Sequence, residues 1–136
     1  MSNYKIADVE GIGPAYAEKL EKAGINDTDK LLAKGSTRAG RKALAEETGI
    51  SEKLILTWTN HADLMRVNGV GPQFSELLEA AGVDTVKELS HRVPENLETK
   101  LLEVNDAKKL VGRVPTAKEL KRMIDQAKEL GGKMEY

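Results

Sequence analysis

Apolar residues recur at helical spacing through most of the chain. The clearest stripe is formed by Leu54, Trp58, Ala62 and Met65, which share one face of a helix predicted over about residues 52–67. No segment shows the strict apolar–polar alternation of a half-buried strand. The pattern therefore predicts an all-α protein whose core is built mainly from aliphatic side chains.

Glycines, prolines and capping residues divide this pattern into separate helices. The predicted helices cover residues 3–9, 14–23, about 28–35, 36–48, 52–67, 72–81, a short segment after Thr85, a segment opened by Pro94, and 116–130. The predicted N-terminal caps are Asp27 or Thr28, Ser36, Ser51, Thr85 with Glu88, and Thr116 with Glu119.

One short motif occurs twice. Gly-Ile-Gly-Pro at residues 11–14 (the first hairpin) and Gly-Val-Gly-Pro at residues 69–72 (the second hairpin) are offset by 58 residues. Glycine is used where φ is positive or where backbones approach closely. Two glycines around one aliphatic residue therefore predict a tight hairpin with that residue turned inward, followed by a helix whose first turn contains proline.

Each of these helix starts is a candidate anion site. The first N–H groups of a helix have no partner within the helix, and they lie at the positive end of its dipole. A phosphate group of a nucleic-acid backbone is an anion that such a site would bind.

The repeated stretch, with a hydrophobic residue before the glycines and a leucine after Gly-x-Gly-Pro, resembles the helix-hairpin-helix motif of DNA repair, recombination and replication proteins. The resemblance implies two pseudo-symmetric repeats, residues 1–61 and 62–136, fused through a shared helix into one compact SAM-domain-like body. The whole chain is also similar to an uncharacterised, mostly bacterial family of paired helix-hairpin-helix proteins that has no assigned function.

The resemblance further implies a sequence-independent grip on DNA backbone phosphates by hairpin amides. The amides concerned are those of Gly11, Gly13, Ala15 and Tyr16, and those of Gly69, Gly71, Gln73 and Phe74. It also implies that a potassium or sodium ion could sit on the carbonyls of Ala7, Val9 and Ile12, or on those of Met65, Val67 and Val70.

Charge limits how strongly such a module would bind. The chain has 21 basic and 22 acidic residues and a net charge of −1, whereas nucleic-acid-binding domains are usually basic. Arg38, Arg41 and Lys42 share one predicted helix face and would add attraction, but both hairpins lie in acidic segments. We therefore expect weak, non-specific DNA binding, and a protein-interaction or scaffold module remains the alternative.

The sequence does not indicate an enzyme. There is no cysteine, the two histidines (His61 and His91) are far apart, and no pair of carboxylates is spaced for acid–base catalysis. No small-molecule substrate is expected. No apolar run reaches ~18 residues and no signal peptide opens the chain, so we predict a cytoplasmic protein without a membrane span.

Overall fold

The computed structural model describes residues 3–136, and it confirms the all-α prediction. A 3₁₀ turn at Ile6–Asp8 precedes eight α-helices in this part of the chain. These are α1 (Gly13–Lys22), α2 (Thr28–Gly35), α3 (Arg38–Thr48), α4 (Glu52–Leu64), α5 (Pro72–Ala80), α6 (Val86–Ser90), α7 (Pro94–Lys108) and α8 (Ala117–Leu130).

The predicted helix over residues 3–9 is wrong. Only the 3₁₀ turn forms there, because the backbone of Tyr4 and Ile6 pairs with Thr28, the first residue of α2, and with Asn26 in the loop before it. The Thr28 N–H donates to the Tyr4 carbonyl at 2.8 Å, and the Ile6 N–H donates to the Asn26 carbonyl at 3.1 Å. No strand forms in residues 3–136, and Lys5 and Asp27 make a single isolated bridge.

Most helix starts agree with the predicted caps. The side chains of Asp27, Ser51 and Thr85 each accept a hydrogen bond from a first-turn N–H, and Thr116 with Glu119 forms the predicted capping box. Two predictions are wrong. Glu88 does not complete a capping box with Thr85, because its carboxylate accepts from Arg92 instead. The cap of α3 is Thr37 rather than Ser36. Ser36 instead ends α2, where its N–H donates to the Leu32 carbonyl.

Helix α4 is the centre of the fold. It packs against α2, α3 and α5, and every residue from Trp58 to Leu64 is buried. The helix ends at Leu64 rather than near residue 67, and a turn leads from it into the second hairpin. Trp58 also contacts α1, where its ring lies 5.0 Å from that of Tyr16 between centroids.

In the second half of the chain, α8 packs against α6 and α7, and α7 also contacts α5. The pairs α2–α4 and α6–α8 occupy corresponding places in the chain, as two copies of one unit would. The pseudo-symmetric repeat nevertheless stays a prediction. No helix in the described part of the chain has the length and apolarity that a membrane crossing needs.

A buried ion pair joins the end of α4 to the second half of the chain. Nη1 of Arg66 donates to Oδ1 of Asp63 at 2.7 Å, and both side chains are almost fully buried. The second oxygen of Asp63 accepts from the Val86 N–H at the start of α6, at 2.8 Å. Arg66 also donates to the carbonyls of Gly131 and Leu130, which end α8.

Candidate nucleic-acid interface at the two hairpins

The first hairpin has the predicted geometry. Gly11 and Gly13 have φ values of 86° and 64°, which favour glycine, and both lie on the surface. Between them, Ile12 is only 2% exposed and packs into the core. The Ile12 N–H closes the turn by donating to the Val9 carbonyl at 3.2 Å.

The second hairpin differs at its second glycine. Gly69 has a φ of 91° and Val70 is fully buried, as in the first hairpin. Gly71, however, has φ −97° and ψ −175°, an extended conformation that any residue adopts. Gly71 is the residue before α5, whereas Gly13 is itself the first residue of α1. The backbone therefore enters these two helices differently.

The two helices that follow the hairpins begin without a side-chain cap. A capping side chain is present at the start of α2, α3, α4, α6 and α8. Helix α7, which also opens with proline, resembles α1 and α5 in having none. In the first turn of α1, Ala15 is exposed and Tyr16 is half-buried against Trp58. In the first turn of α5, Gln73 is exposed but Phe74 is only 8% exposed.

Residues from both hairpin regions line one cavity of about 440 Å³. Asp8 and Glu10, which precede the first hairpin, line it together with residues 71–74 and Val111. Negative side chains near the start of a helix interact favourably with its dipole. Asp8 and Glu10 therefore favour the start of α5 electrostatically, and they would repel a phosphate that approached it.

The second hairpin is also braced by α8. The Asn68 N–H donates to Oε1 of Gln126 at 2.8 Å, and a Cβ added to Gly69 would lie 3.0 Å from the Met123 methyl carbon. The first hairpin lies instead over the indole of Trp58, since a Cβ on Gly11 would lie 3.5 Å from its Nε1. The two hairpins thus present different surroundings to a ligand.

The three basic residues expected on one face do not act together. Arg38 and Lys42 are exposed, but Arg41 is only 5% exposed. Its Nη1 donates to the Gly35 carbonyl at 2.8 Å and its Nη2 to the Glu135 carbonyl at 2.7 Å. Arg41 therefore joins the end of α2 to the C-terminal segment, and its guanidinium is not available on the surface predicted for it.

The carbonyl groups expected to hold a monovalent cation lie at the turns of the two hairpin regions. Those of Val9 and Val67 each accept the hydrogen bond that closes their turn, from Ile12 and Val70 respectively. The other four candidates are Ala7, Ile12, Met65 and Val70. In the described range 3–136, no group of three or more His, Asp or Glu side chains is placed to hold a metal ion.

Sequence reasoning missed the residues that distinguish the hairpins. Asp8 and Glu10 lie beside residues 71–74, more than 60 positions later in the chain. Gln126 accepts a hydrogen bond from the N–H of Asn68, 58 positions before it. Such long-range contacts leave no periodic pattern in a sequence. The acidic character of the segment before Gly11 was the one visible signal.

Residues 10–130, most of the chain and both hairpins, match the family described as "Domain of unknown function (DUF4332)". The chain belongs to the DUF4332 family. This membership agrees with the resemblance to an uncharacterised family, and the family description assigns no activity. No curated protein and no solved structure matches this DUF4332 chain.

Proposed function

We propose that this DUF4332 protein is a non-enzymatic nucleic-acid-binding module that contacts backbone phosphates through the first hairpin. The contacting groups are the amides of Gly11, Gly13, Ala15 and Tyr16. The observation that carries the proposal is the exposed start of α1, which has no side-chain cap and only small residues at its first positions.

Several features support this choice of site. Gly13, Pro14 and Ala15 are all exposed, so no bulky side chain covers the first turn of α1. Buried Ile12 anchors the turn, which keeps the amides in a fixed orientation. Fixed N–H groups at the positive end of a helix bind phosphate without reading base sequence.

The helix-hairpin-helix interpretation belongs to the same proposal. The positive φ values at Gly11 and Gly69, the buried residue after each, and the corresponding helix pairs α2–α4 and α6–α8 support it. In this interpretation the two hairpins have diverged. The first binds phosphate, and the second, bordered by Asp8 and Glu10, mainly serves the fold.

Charge near the first hairpin sets the expected strength. Lys19 and Lys22 are exposed at the end of α1, but Lys22 is paired with Glu18 at 3.2 Å. If the hairpin contacts two to four phosphates, raising the salt concentration from ~50 to ~200 mM should weaken DNA binding roughly 10- to 150-fold. DNA binding should thus be weak and independent of sequence. The proposal also includes the cytoplasmic location predicted from the sequence.

A pair of equivalent substitutions tests the site. Ala15 and Gln73 occupy the same motif position, 58 residues apart, and both are exposed in the first turn of a helix. A glutamate at either position favours the helix dipole, so it should not destabilise the fold. Ala15→Glu would place a carboxylate where the phosphate binds, whereas Gln73→Glu would add charge to a start that is already acidic.

The measurement is fluorescence anisotropy of a labelled duplex and a labelled single strand at ~50 mM salt. We expect duplex binding that Ala15→Glu removes and that Gln73→Glu changes less than about twofold. If neither nucleic acid binds the wild-type protein, the proposed function is wrong. If the duplex binds and both variants bind equally well, the first hairpin is not the site.

The alternative is a protein-interaction module, and one observation favours it. The cavity of about 440 Å³ combines the carboxylates of Asp8 and Glu10 with the apolar Phe74 and Val111. A partner segment with a basic residue beside an apolar one would fit this lining. If the wild-type protein binds neither nucleic acid in the assay above, protein interaction becomes the leading proposed function.

A further inference from the structure

A second surface of the molecule combines positive charge with an exposed aromatic ring. It is a cleft of about 310 Å³ between the first turns of α3 and α4, closed on one side by the end of the chain. We call it the α3–α4 cleft, and its lining residues are Arg38, Arg41, Glu52, Lys53, Leu56 and Tyr136.

The cleft carries an excess of positive charge in a chain that is slightly acidic overall. Among the side chains that line it, three are cationic and one, that of Glu52, is anionic. In residues 3–136, Arg38, Arg41 and Lys53 take part in no ion pair. The exposed charges of Arg38 and Lys53 are therefore free to attract an anionic ligand.

Arg41 makes this charge a fixed feature of the cleft. Its guanidinium is almost fully buried, and its bonds to the carbonyls of Gly35 and Glu135 involve neutral groups. A buried charge without a counter-ion is costly, and partial charges on carbonyls offset only part of that cost. An anion in the cleft would be stabilised by a positive group that is already desolvated and oriented.

Tyr136 supplies a flat and accessible aromatic surface beside these charges. Its hydroxyl donates to Oδ1 of Asn60 at 3.2 Å, and the Arg41 guanidinium lies 5.8 Å from its ring centroid. The residue is nevertheless 65% exposed. An exposed aromatic ring beside cationic side chains is the combination with which proteins bind single-stranded nucleic acids.

We propose that the α3–α4 cleft binds one nucleotide of a single-stranded nucleic acid. The base stacks on the Tyr136 ring, and Arg38 and Lys53 contact the adjoining phosphate. The volume lies within the range of small-ligand pockets, and a base can reach the ring only when it is unpaired. This site is separate from the first hairpin, so it stands or falls without the duplex-binding proposal.

The test compares a labelled single-stranded 12-mer with the same strand in a duplex, by anisotropy at ~50 mM salt. We expect tighter binding of the single strand, which Tyr136→Leu weakens roughly 5- to 150-fold, the range for loss of one base stack. Tyr136→Phe keeps the ring and should bind within about threefold of wild type. Lys53→Gln should weaken binding, whereas Lys100→Gln, an exposed lysine on α7, should not.

The outcomes separate this site from the hairpin. If Ala15→Glu removes duplex binding while Tyr136→Leu and Lys53→Gln leave single-strand binding unchanged, the cleft proposal is overturned and the hairpin proposal stands. If the single strand responds to Tyr136 and Lys53 and no duplex binds, the cleft proposal stands alone. Thermal unfolding of each variant shows that the loss is not caused by misfolding.

Discussion

The two glycines that close the hairpins should respond in opposite ways to the same substitution. Gly13 has a φ of 64°, and a Cβ added there would meet no atom within 4 Å, so the only cost of Gly13→Ala in the folded state is backbone strain. Gly71 is extended, and its added Cβ would make an ordinary contact of 3.7 Å with the Tyr4 hydroxyl. Gly71→Ala should therefore introduce no strain.

The expected size follows from treating the two variants as a matched pair. Replacing glycine by alanine restricts the unfolded chain by ~0.4–1 kcal/mol at either position, and this gain is common to both. The left-handed conformation costs an alanine ~1–2 kcal/mol, and only Gly13→Ala pays it. Gly71→Ala should thus be slightly stabilised, and Gly13→Ala should unfold more easily than Gly71→Ala by ~1–2 kcal/mol.

Urea unfolding followed by circular dichroism measures this difference. The free energy of unfolding falls linearly with urea concentration, and the slope must be the same in both variants for the comparison to hold. Equal losses of stability in the two variants would refute the reasoning, because they would show that Gly71 occupies a strained conformation like that of Gly13.

Two further predictions concern the charged groups. Asp63→Ala should cost ~3–5 kcal/mol, because it leaves the buried Arg66 without its acidic partner. In the same urea assay Glu18→Ala, which breaks the exposed pair with Lys22, should cost less than ~1 kcal/mol, and similar losses in the two variants would contradict this prediction. Hydrogen bonds from the Arg113 guanidinium and the Thr116 backbone lower the pKa of Glu119 from 4.5 to about 2. Because the folded-state pKa is the lower one, ionised Glu119 stabilises the fold fully above about pH 4.5, and this contribution is lost as the pH falls towards about 2. The difference in melting temperature between wild type and Glu119→Gln should therefore shrink over that range, and a constant difference would show that Glu119 is not held in its ionised form.

Local signals in the sequence predicted the helices well. Capping residues such as Ser51 and Thr116 and the stop at Gly49 act within one turn of the helix that they bound, so the neighbouring residues are sufficient to find them. The predicted cap at Ser36 was off by one residue, because Thr37 offers the same chemistry at the next position.

Features that depend on distant parts of the chain were not predicted. The segment before Ile6 is extended because Thr28 pairs with Tyr4, and Arg41 is buried because Gly35 and Glu135 supply its acceptors. The conformation of Gly71 was equally hidden, since its motif is the same as that of Gly13. For the candidate sites, the sequence indicated the first hairpin but not the α3–α4 cleft, which needs Tyr136 beside α3.

The position of Trp58 has a spectroscopic consequence. It is the single tryptophan of the chain, it lies beneath Gly11, and its ring is 5.0 Å from that of Tyr16 in the first turn of α1. The emission of the indole therefore reports on the surroundings of the first hairpin. A ligand that binds the first hairpin would lie within a few ångströms of this native chromophore, so tryptophan emission can follow its binding without an added label.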